Sequence, residues 1–207
     1  MKKIIVALAF VLASFSIYAQ APLFKGVAME GNINDFMTKL KSKGCVFDEK
    51  TKTSDTGSEI IVMKGSYAGY QNCKIVLFAN DKGQEIVGVR VIMPLKCYKY
   101  GETIEYYSDN YKDVRSMYLD VKSKLTEKYG KPILELEEEI DTYQGGEIRK
   151  IAEMDGYGCV WTDGGLNEIT IEIKADEIGY DYLANIRVDI RNSSSVEKNR
   201  ENVLDDM

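Results

Sequence analysis

The chain has 207 residues, 27 basic against 33 acidic, with four cysteines and no histidine. An acidic chain without a basic block is a poor partner for nucleic acid or for an anionic membrane surface. The missing histidine excludes Ser-His-Asp and Cys-His catalytic devices and deprives most zinc or iron sites of their usual ligand.

Lys2 and Lys3 precede an apolar run over 4–15, and Ser16, Ile17, Tyr18 and Ala19 lead to Gln20. A basic end, an apolar stretch of about a dozen residues and a small residue at the cut predict a secretory signal peptide over residues 1–19. The run is shorter than the ~20 apolar residues that span a bilayer, and no later run approaches it. The expected mature chain therefore begins at Gln20 without a membrane anchor. The first cysteine is Cys45, so no thiol lies at the cut to accept a lipid. Removing Lys2 and Lys3 from the 27 basic residues leaves 25 against 33 acids, a balance of −8 over 188 residues. That length builds one large domain or two small ones.

In chain order, residues 32–44 predict a short helix. Ile33, Phe36, Met37 and Leu40 share one face, Asn32 is a good N-cap and Gly44 closes the end. Strands follow over 45–48, 59–64 and 73–79, with a turn at 65–70. In the third of these, Cys73, Ile75 and Leu77 alternate with Lys74, Val76 and Phe78. Residues 80–83 form a hairpin turn, and 86–93 a strand with Val87, Val89, Val91 and Met93 on one face.

The second half repeats this order. Tyr111, Val114, Tyr118, Val121, Leu125 and Tyr129 predict a helix of about five turns. Gly130 and Pro132 stop it. Residues 133–138 and 157–162 read as strands, and 163–165 as a hairpin turn. Ile169, Ile171 and Ile173 mark the next strand, and Ile186, Val188 and Ile190 the last, each with one buried and one wet face. The expected fold class is α+β, with two tandem modules at 20–97 and 98–192. Each is a helix packed on an antiparallel sheet of three to four strands, and a polar tail follows at 193–207. One continuous sheet formed by both halves is the rival arrangement.

Few residues point to chemistry. No P-loop, dinucleotide fingerprint, nucleophile elbow or EF-hand loop occurs, so no catalytic residue, cofactor or metal is expected. The acidic cluster Glu135, Glu137, Glu138, Glu139 and Asp141 offers the oxygen ligands that Ca²⁺ prefers. As a strand, however, it sets Glu135 and Glu137 on one face and Leu134 and Leu136 on the other, the pattern of a solvated strand. Tyr98, Tyr100, Tyr106, Tyr107 and Tyr111 crowd the crossing between the halves and form the candidate binding surface, tyrosine giving large contact area at low entropic cost; the competing reading packs these rings between the modules. Trp161 reads as a core or sheet-edge residue. Four cysteines in an exported chain suggest two disulfides with three possible connectivities; strand order in the first sheet favours Cys45–Cys97 within the first module, which leaves Cys73–Cys159 between modules.

Phe24-Lys25-Gly26-Val27, Asn34-Asp35-Phe36, Lys43-Gly44-Cys45, Gly65-Ser66-Tyr67-Ala68-Gly69, Asn72-Cys73-Lys74-Ile75 and Lys128-Tyr129-Gly130-Lys131-Pro132 together resemble a group of small exported Gram-negative proteins of unassigned function. In architecture alone, the plan is similar to the tandem helix-on-sheet modules of the β-lactamase-inhibitor protein and of small outer-membrane assembly lipoproteins. No inhibitory or assembly residue carries across.

The function these readings favour is a non-catalytic periplasmic or secreted binding or inhibitor module, acting on an envelope protein or glycan through an exposed sheet face and the tyrosine-rich crossing. The alternatives are a small carboxylate-dependent enzyme on envelope glycans and a structural envelope component. An enzyme requires acids converging in a pocket with at least one pKa raised. A binder requires exposed aromatic patches and few buried charges.

Overall fold

A computed structural model describes residues 21–52, 58–80, 84–94, 96–98, 104–137, 151, 157–163, 167–178 and 181–193. The predicted signal peptide and polar tail lie outside them, apart from Ser193. Among the described residues, two helices, a two-stranded hairpin and one large antiparallel sheet make an α+β fold. Among the described residues no helix is long and apolar enough to cross a membrane.

The chain opens with the hairpin β1 (Leu23–Phe24) and β2 (Val27–Ala28). Lys25 and Gly26 both take positive φ, the requirement of a tight two-residue turn. The turn buries Phe24 and Val27, and Phe24 stacks on Tyr67 at 5.9 Å between centroids. Helix α1 (Ile33–Ser42) is capped as predicted, the Asn32 side chain accepting from the Asn34 N–H, and it buries Ile33, Phe36 and Leu40.

Strands β3 (Val46–Lys52), β4 (Glu59–Tyr67), β5 (Tyr70–Ala79) and β6 (Ile86–Ile92) then run up and down. The turn expected at 65–70 is tighter in the structure, with Tyr67 paired to Tyr70 across Ala68 and Gly69, both at positive φ. After β7 (Lys96–Tyr98) comes helix α2 (Ile104–Tyr129), with Val114, Tyr118, Val121 and Leu125 buried. Strands β8 (Leu134–Leu136), β9 (Gly158–Thr162), β10 (Glu168–Ile178) and β11 (Asp181–Arg191) complete the chain.

The sheet order is β3-β4-β5-β6-β11-β10-β9-β8, with β7 also paired to β11. This corrects the expectation of two tandem modules with separate sheets. Strand β6 pairs with β11 from Arg187↔Ile92 to Arg191↔Gly88, which fuses the halves into one sheet. One buried cluster runs from Phe24 to Ile190. Side chains reinforce the seam. Arg90 donates to both Asp189 oxygens at 2.7 and 3.0 Å, and Asn192 donates through Nδ2 to the Met29 carbonyl at 2.7 Å. Tyr70 donates to Asp120 of α2, whose other bond comes from Lys124.

The expected disulfides are corrected as well. Cys45, Cys73 and Cys159 are buried free thiols. Cys73 on β5 and Cys159 on β9 are four strands apart, about 19 Å at the usual inter-strand spacing, whereas a disulfide needs Cα atoms within about 7 Å. Cys45 packs against Gly65. Cys97 pairs in backbone register with Leu183 of β11, on the edge that β6 also takes, and its side chain lies outside the described residues.

Both helices and the hairpin cover one face of the sheet, where cross-strand rows such as Met63–Ile75–Val91–Val188–Ile171–Cys159 are buried. The opposite, outer face carries rows such as Lys64–Lys74–Ile92–Arg187–Glu172, and no described helix packs on it.

Candidate functional site

Two places gather polar chemistry. The first lies where α2 crosses the β8–β9 edge. Tyr118 and Lys122, one helical turn apart, point from α2 to the inner face of the sheet, where Glu135 and Glu137 come from β8 and the residue after it, and Cys159 from β9. Glu137 Oε1 accepts three bonds: from Tyr118 at 2.5 Å, Lys122 at 2.7 Å and the Cys159 thiol at 3.0 Å. Lys122 also reaches Glu135 at 3.3 Å. Tyr118 and Cys159 are buried, and the rings of Tyr118 and Tyr157 meet at 5.6 Å.

The face assignment departs from the sequence reading. Glu135 and Glu137 do share a face, but it is the inner one, while Leu134 and Leu136 stand exposed on the outer face at 47% and 51%. The reason is Lys122: an ammonium on the inner side draws the carboxylates, and β8 as an edge strand has little core to offer its leucines. Glu138, Glu139 and Asp141 lie outside the described residues.

Burial raises the Glu137 pKa, but the bonds from Lys122, Tyr118 and Cys159 outweigh it and hold the carboxyl below the usual range. For Lys122, burial is likewise overcome, here by the Glu137 bond and neighbouring charge, so its pKa is raised. Burial pushes the Cys159 thiol up to about 11, which favours its protonated form at neutral pH. Burial and the bonds to Cys159 and Glu137 raise Tyr118 too. The cluster is an ion-paired lock between helix and edge strand. Ligand atoms of Glu135, Glu137 and Cys159 lie within 4.8 Å of one another, and the single Lys122 ammonium is shared by both carboxylates.

The sign of its pH dependence follows. A depressed Glu137 contributes stability that is fully present above its unfolded pKa and lost as pH falls through the folded value. A raised Lys122 contributes stability present below its unfolded pKa and lost as pH rises through the folded one. The lock is intact between about pH 5 and pH 10. Lys122→Met leaves Glu137 partly buried without its cation, and is expected to cost about 2 kcal/mol near neutral pH. Urea midpoints should show that difference shrinking below about pH 4; a difference that stays constant down to acid would refute the lock.

The second place is on the outer face. Phe78, Gly88 and Arg191 occupy one cross-strand row, with Gly88 in the middle. The Arg90–Asp189 pair stands in the adjoining row, and the Arg90 guanidinium lies 5.6 Å over the Phe78 ring. Together they surround a hollow of about 320 Å³. Alternation along β6 and β11 makes Arg90 and Asp189 legible as outer-face residues; their pairing depends on the β6–β11 seam, which the sequence does not disclose.

Of the residues singled out from sequence, Trp161 is fully buried and its indole N–H donates to the Gly130 carbonyl at 2.9 Å. Tyr100 and the side chains of Tyr98, Tyr106, Tyr107 and Tyr111 lie outside the described residues. Comparison with protein-family models, with curated proteins and with solved structures finds no match to this chain.

Proposed function

We propose that this chain is an exported, non-catalytic binding or inhibitor module of the cell envelope, presenting the outer face of its sheet to an envelope protein or glycan. The observation that carries this reading is the breadth of that face. It runs from β3 to β8, bears charged side chains and a hollow, and has no described helix packed on it, although Val62, Val76 and Asn185 on it are buried. The carboxylate-enzyme alternative calls for an acid whose pKa is raised so that it donates a proton near neutrality. Glu137, which accepts three side-chain bonds, is shifted the other way. Export rests on the predicted signal peptide, and the resemblance to small exported proteins points in the same direction.

The test uses the protein purified from the envelope fraction, whose first residue is expected to be Gln20. Immobilised wild type is compared with the double variant Lys64→Glu, Lys74→Glu, both positions being exposed on the outer face, and with Lys39→Glu on the exposed side of α1. Envelope components held by wild type and by Lys39→Glu should fall at least tenfold on the outer-face variant, with all three melting alike. Equal capture by all three overturns the outer-face reading.

A further inference from the structure

We infer that the hollow over Gly88 is a ligand site for a small aromatic carboxylate. This deepens the outer-face reading by giving that face a ligand class. Gly88 is the starting point, because the fold does not demand glycine there. Its φ is not in the left-handed region, and a Cβ would lie 3.4 Å from the Ile190 carbonyl and 3.8 Å from Phe78, ordinary contact distances. Glycine in a strand interior weakens the strand and commonly marks a place where another group approaches closely. What glycine leaves here is space, about 320 Å³ between Phe78 on one side and Arg191 on the other.

The walls define the ligand. Phe78 and the backbone of Gly88 form an apolar floor and side on which a flat ring lies. The Arg90 guanidinium is committed, doubly bonded to Asp189 and set over the Phe78 ring. Arg191 is not held in this way. Its side chain is 61% exposed, and its contact to Glu168 is 3.8 Å, too long for a hydrogen bond. Arg90 and Arg191 face Asp189 and Glu168, so the rim is charge-balanced, and an incoming carboxylate takes the Arg191 fork in competition with Glu168. A ring seated on Gly88 brings a carboxylate one or two bonds away within reach of the Arg191 fork, the geometry in which arginine binds carboxylates best. The volume suits a single ring with a short acidic arm, at the small end of ligand pockets.

The experiment titrates phenylacetate into the full-length protein, with phenylacetamide and acetate as controls, and follows backbone amide shifts by NMR. Phenylacetate should give saturable shifts at Phe78, Gly88 and Arg191. Phenylacetamide, which lacks the charge, and Arg191→Gln should each weaken binding about tenfold. Acetate, which lacks the ring, should not saturate. Gly88→Val fills the hollow and should abolish the shifts, its fold being checked by melting. Should that variant fail to fold, Arg191→Gln at its exposed position decides between a site and no site. Absence of saturable shifts up to the solubility limit, shifts unchanged in Arg191→Gln, or shifts that persist in a folded Gly88→Val overturn the site. Each of those results leaves the capture experiment with the Lys64→Glu, Lys74→Glu variant standing, so failure of the ligand site is distinguishable from failure of the outer-face reading.

Discussion

Gly158→Ala is expected to destabilise the protein by about 3 kcal/mol or more, the upper range for forcing atoms into a packed interior. Gly158 opens β9 and is held between Leu136 of β8 and Glu172 of β10. A Cβ there would collide with the Ile171 carbonyl oxygen and lie 3.0 Å from the Glu172 Cα. These are backbone atoms that cannot swing aside, so β9 itself must move. Its next residues, Cys159 and Trp161, would move with it, and both are fully packed on the inner face. Two other glycines calibrate the result. At Gly65 an added methyl meets the Cys45 sulfur at 3.0 Å and the Ile75 Cδ1 at 3.1 Å, side-chain ends that yield by a few tenths of an ångström. At Gly88 it meets nothing closer than 3.4 Å, and alanine there is expected to be near neutral because the unfolded chain loses entropy. Urea unfolding of the three alanine variants should rank Gly158 well above Gly65, and Gly65 above Gly88. Equal losses at Gly158 and Gly88 would refute this packing account.

How much of this was legible in the sequence depends on the range over which each feature is decided. Helix α1 was readable to within a residue or two because its signals are local: a side-chain cap at Asn32, an apolar face of Ile33, Phe36 and Leu40, and a reversal at Gly44 with φ +85°. Most of the longer strands were readable for the same reason, since alternation such as Ile169, Ile171, Ile173 against Thr170, Glu172, Lys174 fixes one buried and one wet face; the short strands β1, β2 and β7 carry no such pattern and were not expected. The joining of the halves was not. Ile86–Ile92 and Asp181–Arg191 present the same alternation whether they end two sheets or meet in one, and the decision lies in edge hydrogen bonds that leave no trace in local pattern. The cysteine reading failed on the same ground: an even count in an exported chain argues for bridges, but strand order decides which thiols meet.

The polar lock was half legible. Alternation paired Glu135 with Glu137 correctly, but nothing in β8 itself says which face turns inward. The missing signal lay in α2, where Tyr118 falls on the apolar stripe with a hydroxyl that burial obliges to find a partner. Lys122, four residues on, stands on the same side of the helix. A buried tyrosine followed by a lysine at that spacing asks for a carboxylate opposite, and β8 is the next element in the chain. The hollow over Gly88 was less legible still, since its walls come from β5, β6 and β11, and a glycine in a strand signals an absence that only neighbours give a shape.

Trp161→Ala should cost about 3–5 kcal/mol, the range for truncating a large buried aromatic side chain. Trp161 ends the inner row Ile61–Leu77–Val89–Ile190–Ile169, is wholly buried, and donates to the carbonyl of Gly130. Gly130 is the residue at which α2 ends, its own N–H bonded to the Thr126 carbonyl and its φ at +82°. One side chain thus closes the core at one end of the sheet and fastens the helix terminus to it. Trp161→Phe separates the two contributions: it keeps most of the apolar area and removes the bond to Gly130, so it should lose about 1 kcal/mol from the bond together with a smaller packing cost. As the sole tryptophan in the chain, Trp161 reports on its own surroundings in the wild type. Its emission should be that of a water-excluded indole in the native state and shift to the red in a single step that coincides with loss of far-ultraviolet dichroism. Two separated transitions would mean that the β9–α2 end unfolds independently of the β3–β6 strands, and the single continuous core would then not be one cooperative unit. A single transition, with Trp161→Ala lowering the stability reported by both signals equally, is what a sheet fused at β6 and β11 requires.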